Sequence, residues 1–486
     1  MLNISKELFT AWNDAKLLYC HWKSNEHLLP GLNGETDLDV LLSRDDKQAG
    51  EIILQKLEFL QVRSPFGSRY PNVDDWIGFD KVTGNLIHIH LHYGIVTGHK
   101  GMKEYSLHWT DMALRTRILN EEYGVYTMEP NLELVTLYTR IGLKVDFKTL
   151  SNCRKGIYKL SSDTRKEIDW LKERVDMYKV AHLVRAFYKD DNITVLEIIN
   201  KTNIDSSDLL KLQKITERVF RENSRVKYFM RLREKMIFAY KRWGQRVEES
   251  LHPVISKKVP IVGHGISIAF MGQDGSGKST VTSEIRKWLS WKLDTRRFYL
   301  GSGDEYYNPW QKRLFRRIRN KKDYLSKLLK LWLPFSYQLA SAKYVRRTIK
   351  KASFYSSKGG VALFDRYPQV RYQGINDGPK IRTMLLPRVP NSLKWLANIY
   401  VKREETILSR AVKKSPDLVF KLILSPEESK RRRPDDNIDI IRRKHDIVKS
   451  LTYPSSTTVI EMDAEQPYEK EILLIKNVIW QQILKL

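Results

Sequence analysis

The segment FMGQDGSGKSTV, Phe270 to Val281, constrains this chain more than any other. Gly272, Gly277, Lys278 and Ser279 satisfy the pattern G-x-x-x-x-G-K-[ST]. An apolar run, ISIAFM, leads into it, and a helix-like stretch, STVTSEIRKWLS, leads out. A phosphate-binding loop needs that setting. Its glycines let successive backbone N–H groups turn around phosphate oxygens, and the helix N-terminus adds partial positive charge. The loop makes Gly272, Asp274, Gly275, Ser276, Gly277, Lys278, Ser279 and Thr280 the candidate nucleotide-binding residues. Lys278 is expected to bridge the β- and γ-phosphates of ATP, and the Ser279 hydroxyl to ligate Mg2+.

Beyond the loop the rhythm is strand, loop, helix, strand. GGVALFD, PDLVFKLIL and STTVIEMD are further apolar runs with β-branched residues, and helical patterns lie between them. The alternation predicts an α/β domain over 262–486, a parallel sheet with helices on both faces. With 486 residues the chain is too long for one ordinary core. Residues 1–115 mix short strand-like runs, DLDVLL and NLIHIHLHYGIV, with helical stretches, a mixed α+β pattern. From 116 to 258 the pattern turns helical, with apolar residues at helical spacing in NLELVTLYTRIGLKV, DWLKERVDMYKVAHLVRAFY and VKYFMRLREKMIFAYKRW. HPVISKKVPIVGHG reads as a junction.

The C-terminal region, about 262–486, resembles the thymidylate kinases. GQDGSGKST looks like their loop, with Asp274 two residues after the first glycine, and VALFDRYPQ resembles their D-R-Y motif at a strand end. PDLVFKLILSPEESKRR is similar to their fourth strand and the arginine-bearing start of their lid, and VIEMDAEQPYEKEILLIKNVIWQQIL to their closing strand and helix. The resemblance implies that Asp365 sits near Mg2+ and the phosphate acceptor. It implies that Arg366 holds an anionic group of the acceptor, and that Arg431 and Arg432 reach over the ATP phosphates from the lid. A local ion pair for Asp365 and Arg366, or a solvated helix face for the lid arginines, are the structural alternatives. The sequence also departs from the family. RRFYLGSGDEYYNPW stands where those kinases carry R-E-P-G, and Tyr372-Gln373 falls about two residues early. Kinase chemistry is expected, with thymidylate not the expected acceptor. GSGD at 301–304 reads as a second anion-binding turn or as a plain strand-ending loop.

A formal net charge of +28 suggests an anionic partner. The excess is concentrated between Trp310 and Lys351, where 14 Lys or Arg stand against one acid, Asp323. Leu314, Ile318, Leu325, Leu328, Leu329 and Trp332 give this stretch an apolar side. It reads either as a solvated helix with that side in the core, or as a surface for anionic lipid, glycan or nucleic acid. Only two cysteines occur, Cys20 and Cys153, with no metal-type pairing, which fits a reducing compartment. The N-terminus MLNISKELFTAWNDAK reads as an amphipathic helix rather than a signal peptide, and no apolar run is long enough to span a membrane. The expected location is cytoplasmic, at most peripheral to the inner face of the membrane.

The second informative stretch is CHWKSNEHLLPGLNGETDLDVLLSRDD. In a strand TDLDVLL, Asp37 and Asp39 face one side, a costly pairing without a divalent cation. Lys23-Ser24 followed by GETDLD resembles the nucleotidyltransferase superfamily, in which such carboxylates hold two metal ions for attack on a nucleotide. That superfamily typically adds a third carboxylate from a later strand, and none is evident here. Instead LIHIHLHYG places His88, His90 and His92 on one strand face, where they could complete a metal site with His90 as a ligand, or sit half-buried in a sheet.

The reading that joins these features is an ATP- and Mg2+-dependent phosphotransferase acting on a nucleotide, sugar or glycan. It carries an appended nucleotidyltransferase-like domain and suits surface-polysaccharide assembly. Nucleic-acid end modification and nucleotide sensing without turnover are the alternatives. The kinase resemblance also implies a homodimer formed through helices.

Overall fold

The computed structural model describes residues 1–64, 72–99, 101–226, 258–300, 327–375 and 377–486, together with residues 70, 233, 236 and 240. Most of the helical stretch at 226–243, the GSGD turn at 301–304 and the basic stretch at 310–326 lie outside the described residues. The chain divides into two compact units, Met1–Val259 and Pro260–Leu486.

In the first unit the described strands are β1 (Tyr19–His21), β2 (Leu38–Leu42), β3 (Leu60–Val62), β4 (Val73–Phe79), β5 (Leu86–His92), β6 (Ile95–Thr97), β7 (Tyr105–Leu107), β8 (Ile118–Asn120) and β9 (Val125–Thr127). Seven of them form one mixed sheet in the order β3-β4-β5-β2-β1-β9-β8, and β6 and β7 make a separate hairpin. β2 runs parallel to β5, whereas β4 runs antiparallel to β5. The sheet continues through Thr127, past residue 115, where the sequence suggested that the strands end.

Helices follow from Pro130 to Val219. Their starts are set by local chemistry: the side chains of Glu129, Asp146, Ser161, Asp176 and Asp205 each accept from a backbone N–H of the first turn. The helix Pro130–Leu143 is buried nearly all round. It shares one core with Cys20, Trp22 and Leu41 of the sheet. The helical segment is therefore continuous with the sheet's own core. A second core under the sheet gathers Phe9, Trp12 and Tyr19 from the N-terminal helix and β1.

The second unit contains β10 (Ser267–Gly272), β11 (Thr295–Tyr299), β12 (Val361–Asp365), β13 (Leu418–Ile423) and β14 (Thr458–Asp463). They form a parallel sheet in the order β11-β12-β10-β13-β14. β10 and β12 are buried on both faces, as unbroken apolar runs require, while β14 alternates at the edge. The order reverses at β10, and in such sheets ligands bind beyond the carboxyl ends of the strands at that point. The described half of the basic stretch lies in the helix Lys327–Ser356. There Trp332 and Phe335 pack with Ile381, Val389, Ala397 and Val401, so Trp332 faces the core, while the side chains of Leu314, Ile318, Leu325, Leu328 and Leu329 lie outside the described residues. Lys343, Arg347, Lys350 and Lys351 remain exposed. No helix among the described residues is long and apolar enough to cross a membrane.

Candidate functional site

β10 ends at Gly272, and the loop it releases closes on the helix Lys278–Leu289. A Cβ on Gly272 would lie 2.8 Å from the Leu422 carbonyl of β13 and 2.4 Å from Ser276 Oγ. Because the first neighbour is strand backbone, it cannot move aside. Gly272→Ala should therefore displace the loop, costing at least about 1–3 kcal/mol by overpacking and abolishing ATP binding measured by calorimetry. Gly277 differs. It has φ 82° and nothing within 4 Å of an added Cβ, so alanine there meets only left-handed strain of about 1–2 kcal/mol.

Lys278 Nζ donates to the Gln273 carbonyl at 2.6 Å, inside the loop. Burial pushes this amine down to about 8, and Arg366 adds repulsion that Asp274, Asp365 and Asp377 only partly offset. Ser279 Oγ donates to Asp365 Oδ2 at 3.1 Å, and Arg297 of β11 pairs with the same oxygen. Asp365 Oδ1 is buried and has no hydrogen-bond partner among the described residues. Buried acceptors are normally satisfied. An orphaned carboxylate oxygen next to a serine hydroxyl is a donor set that fits a hard divalent cation.

Arg366 follows β12 with φ 75°, a left-handed conformation that non-glycine residues adopt at a cost of about 1–3 kcal/mol and that clusters at functional sites. Its guanidinium lies 3.5 Å from Asp274 and 3.8 Å from Asp377. Asp274 also pairs with Lys444. Burial pushes the Asp274 carboxyl up, but the Lys444 hydrogen bond and the charges of Lys444, Lys278 and Arg366 hold it below the usual carboxylate range. At Asp377 burial prevails and raises the carboxyl. These groups and Lys380 line a cleft of about 200 Å³ over the loop.

Arg431 and Arg432 separate. On the helix Pro426–Arg432, Arg431 makes a two-point pair with Glu428 at 2.6 and 2.7 Å and is largely exposed. Arg432 reaches the loop, donating to the Gly275 carbonyl at 3.3 Å as well as to Glu428. Thr280 is exposed on the loop's helix. Tyr372 bonds Ser450 and Gln373 bonds Glu405, while Gly374 and Ile375 line the cleft instead. Arg297, Asp377, Lys380 and Lys444 were not singled out from the sequence. Arg297 alone carried a hint, as a charged residue in the strand-like RRFYLG.

In the first unit, Asp39 on β2 and Asp37 immediately before it turn to one face of the sheet, opposite the buried Leu38 and Val40. Asp37 Oδ1 meets His88 Nδ1 at 2.9 Å, and its Oδ2 lies 3.3 Å from His90 Nε2. Asp39 Oδ1 takes both Lys23 Nζ at 2.8 Å and His92 Nε2 at 3.1 Å. Ser24, the other residue of that turn, bonds Glu167 instead. A third carboxylate is present after all: Asp75 on β4 pairs in register with His90 on β5, and its side chain bonds His90 Nδ1. The sequence concealed it because strand pairing brings it in. Burial opposes charge on His90, yet hydrogen bonds to Asp37 and Asp75 prevail and raise it to about 9. Burial lowers His92 to about 3 despite Asp39. Asp37 and Asp39 are both held well below the usual carboxylate range against the pull of burial, Asp37 by His88 and His90, Asp39 by Lys23 and His92.

No family model matches the chain. Two curated proteins of Escherichia coli strain K12 are similar to part of it. The uncharacterized ATP-binding protein YghR is 25% identical over 215 residues, covering 42% of this chain and 82% of YghR. The uncharacterized ATP-binding protein YghS is 24% identical over 226 residues, covering 42% of this chain and 87% of YghS. Among solved structures, deoxyadenosine kinase from M. mycoides with bound dATP matches 44% of this chain and 99% of its own at 18% identity, with a TM-score of 0.28.

Proposed function

We propose that residues 260–486 form an ATP-dependent phosphotransferase that moves the γ-phosphoryl group to an anionic acceptor such as a nucleotide, sugar phosphate or glycan. The observation that carries this reading is the junction of the phosphate loop with β12, where Ser279 meets Asp365 at 3.1 Å beside Lys278. The names of the E. coli relatives, both ATP-binding proteins, support the nucleotide. Backbone N–H groups of the loop and Lys278 would hold the phosphates. Ser279 and the orphaned Oδ1 of Asp365 would hold Mg2+, which supplies charge neutralisation on the transferring group when bound. Arg366, fixed between Asp274 and Asp377, would bind the acceptor's anionic group in the cleft. Arg432 is better placed than Arg431 to reach the ATP phosphates, since it already touches Gly275. For Met1–Val259 the reading is nucleotidyltransferase-like in arrangement, with Asp39 on β2, Asp37 immediately before that strand, and Lys23 beside Asp39.

The depressed Lys278 amine gives a direct test. A lysine is charged below its pKa, and polyphosphate binds the charged form. ATP affinity, measured by calorimetry with Mg2+ from about pH 7 to about pH 9.5, should fall as the pH passes about 8, by up to about tenfold per pH unit. Lys278→Arg should bind with no such fall, because guanidinium stays charged throughout. A flat profile in the unaltered protein would contradict the placement of Lys278 on the phosphates.

A further inference from the structure

The two-metal arrangement that Asp37 and Asp39 suggest does not fit the geometry around them. Asp39 already has its charge matched by Lys23 at 2.8 Å and a ring nitrogen of His92 at 3.1 Å on one oxygen. Beside it on the same sheet face stand the Asp37 carboxylate and the imidazoles of His88 and His90. Among the described residues, Asp37, His88 and His90 offer ligand atoms that all lie within 4.8 Å of one another.

The finer geometry sharpens this. Metal–nitrogen and metal–oxygen distances near 2.0–2.2 Å put neighbouring ligand atoms of a tetrahedron roughly 3.3 Å apart. Asp37 Oδ1 lies 2.9 Å from His88 Nδ1, and Asp37 Oδ2 lies 3.3 Å from His90 Nε2. From the other side, Asp75 Oδ1 bonds His90 Nδ1 and sits 3.4 Å from His88 Nε2. One buried carboxylate thus stands behind both rings, the arrangement that orients histidine ligands on metal ions. His88 is 3% exposed, yet its Nε2 has no hydrogen-bond partner among the described residues. That nitrogen faces Asp75, and Nδ1, the nitrogen on the Asp37 side, is the ligand atom the ring offers. Asp37 and His90 keep about a third of their side-chain surface, 32% and 31%, so both reach solvent.

Imidazole suits borderline transition ions, whereas Mg2+ prefers oxygen ligands and retains its waters. We propose that Asp37, His88 and His90 form a mononuclear site for a transition metal ion such as Zn2+, with Asp75 as the residue that positions both histidines. The site belongs to the first unit and does not rest on phosphotransfer by the second, so either reading can fail alone.

The test uses the full chain, freed of metal by chelation and titrated with Co2+ as a spectroscopic probe. A single saturable site should appear with visible d–d bands of a tetrahedral, nitrogen-containing set, and Zn2+ should displace it. His88→Gln and His90→Gln should abolish the bands, while Asp75→Asn should weaken binding by about 10–100-fold with the bands retained. Circular dichroism checks that each variant folds. X-ray absorption on the zinc-loaded unaltered protein needs no variant and should show imidazole scattering from two rings. Absence of saturable uptake, full-strength binding in both histidine variants, or a zinc spectrum without imidazole would each overturn the proposal.

Discussion

Replacing Lys278 with alanine is expected to lower phosphoryl transfer by at least ~10³-fold while leaving the fold intact. Lys278 is 7% exposed, and its amine lies inside the loop against the Gln273 carbonyl. Its removal takes away charge stabilisation that grows as the γ-phosphoryl group transfers. The stability argument runs the other way. Burial and the neighbouring Arg366 disfavour the charged amine in the unliganded protein, and its pKa near 8 measures that cost. Since the folded protein releases this proton more readily than the unfolded chain, lysine contributes a penalty below about pH 8 that fades as the pH rises towards its ordinary value. Alanine removes the penalty. Thermal denaturation near neutral pH should therefore give a midpoint equal to or above that of the unaltered protein. An activity loss with a lowered midpoint would instead point to a damaged loop.

Asp365→Asn should cost turnover on the order of 10²–10³-fold, with ATP binding in the absence of Mg2+ little changed. The substitution keeps the shape of the side chain and removes only its charge. Ser279 keeps a hydrogen-bond acceptor, but the oxygen suited to the metal loses its affinity for a cation. Arg297 loses its counter-charge, yet it is about a third exposed and water can solvate it, so the folding cost stays small. The magnesium concentration needed for half-maximal turnover should rise sharply. If that requirement stays the same while turnover falls, Asp365 acts on something other than the metal.

The phosphate loop was legible in sequence because everything it needs is contiguous: a buried strand, glycines at positive φ and a helix start within Ser267–Leu289. Asp37 and Asp39 were legible for a similar reason, since alternation along one strand fixes their shared face. What the sequence hid arrives through pairing at a distance. Asp75 reaches His90 only through the antiparallel register of β4 on β5, and Arg297 reaches Asp365 across neighbouring parallel strands. Lys444 closes on Asp274 from a helix 170 residues further along. The extent of the first sheet was misjudged because β8 and β9 are three-residue strands with Ile118 and Leu119 exposed. So short a pair, with β8 facing solvent, leaves no periodic signal. Arg431 and Arg432 were indistinguishable as neighbours in a basic run; both pair with Glu428, and helix geometry brings only Arg432 to the loop as well.

The central claim is that the second unit transfers a phosphoryl group. The measurement that tests it most directly follows the label from γ-labelled ATP, with Mg2+ and a fractionated cell extract, for the unaltered protein and for Lys278→Ala side by side. The account predicts label in an anionic acceptor with the unaltered protein and none with the variant. Label that appears only as free phosphate, stays in ATP, or moves equally well with Lys278→Ala would contradict it.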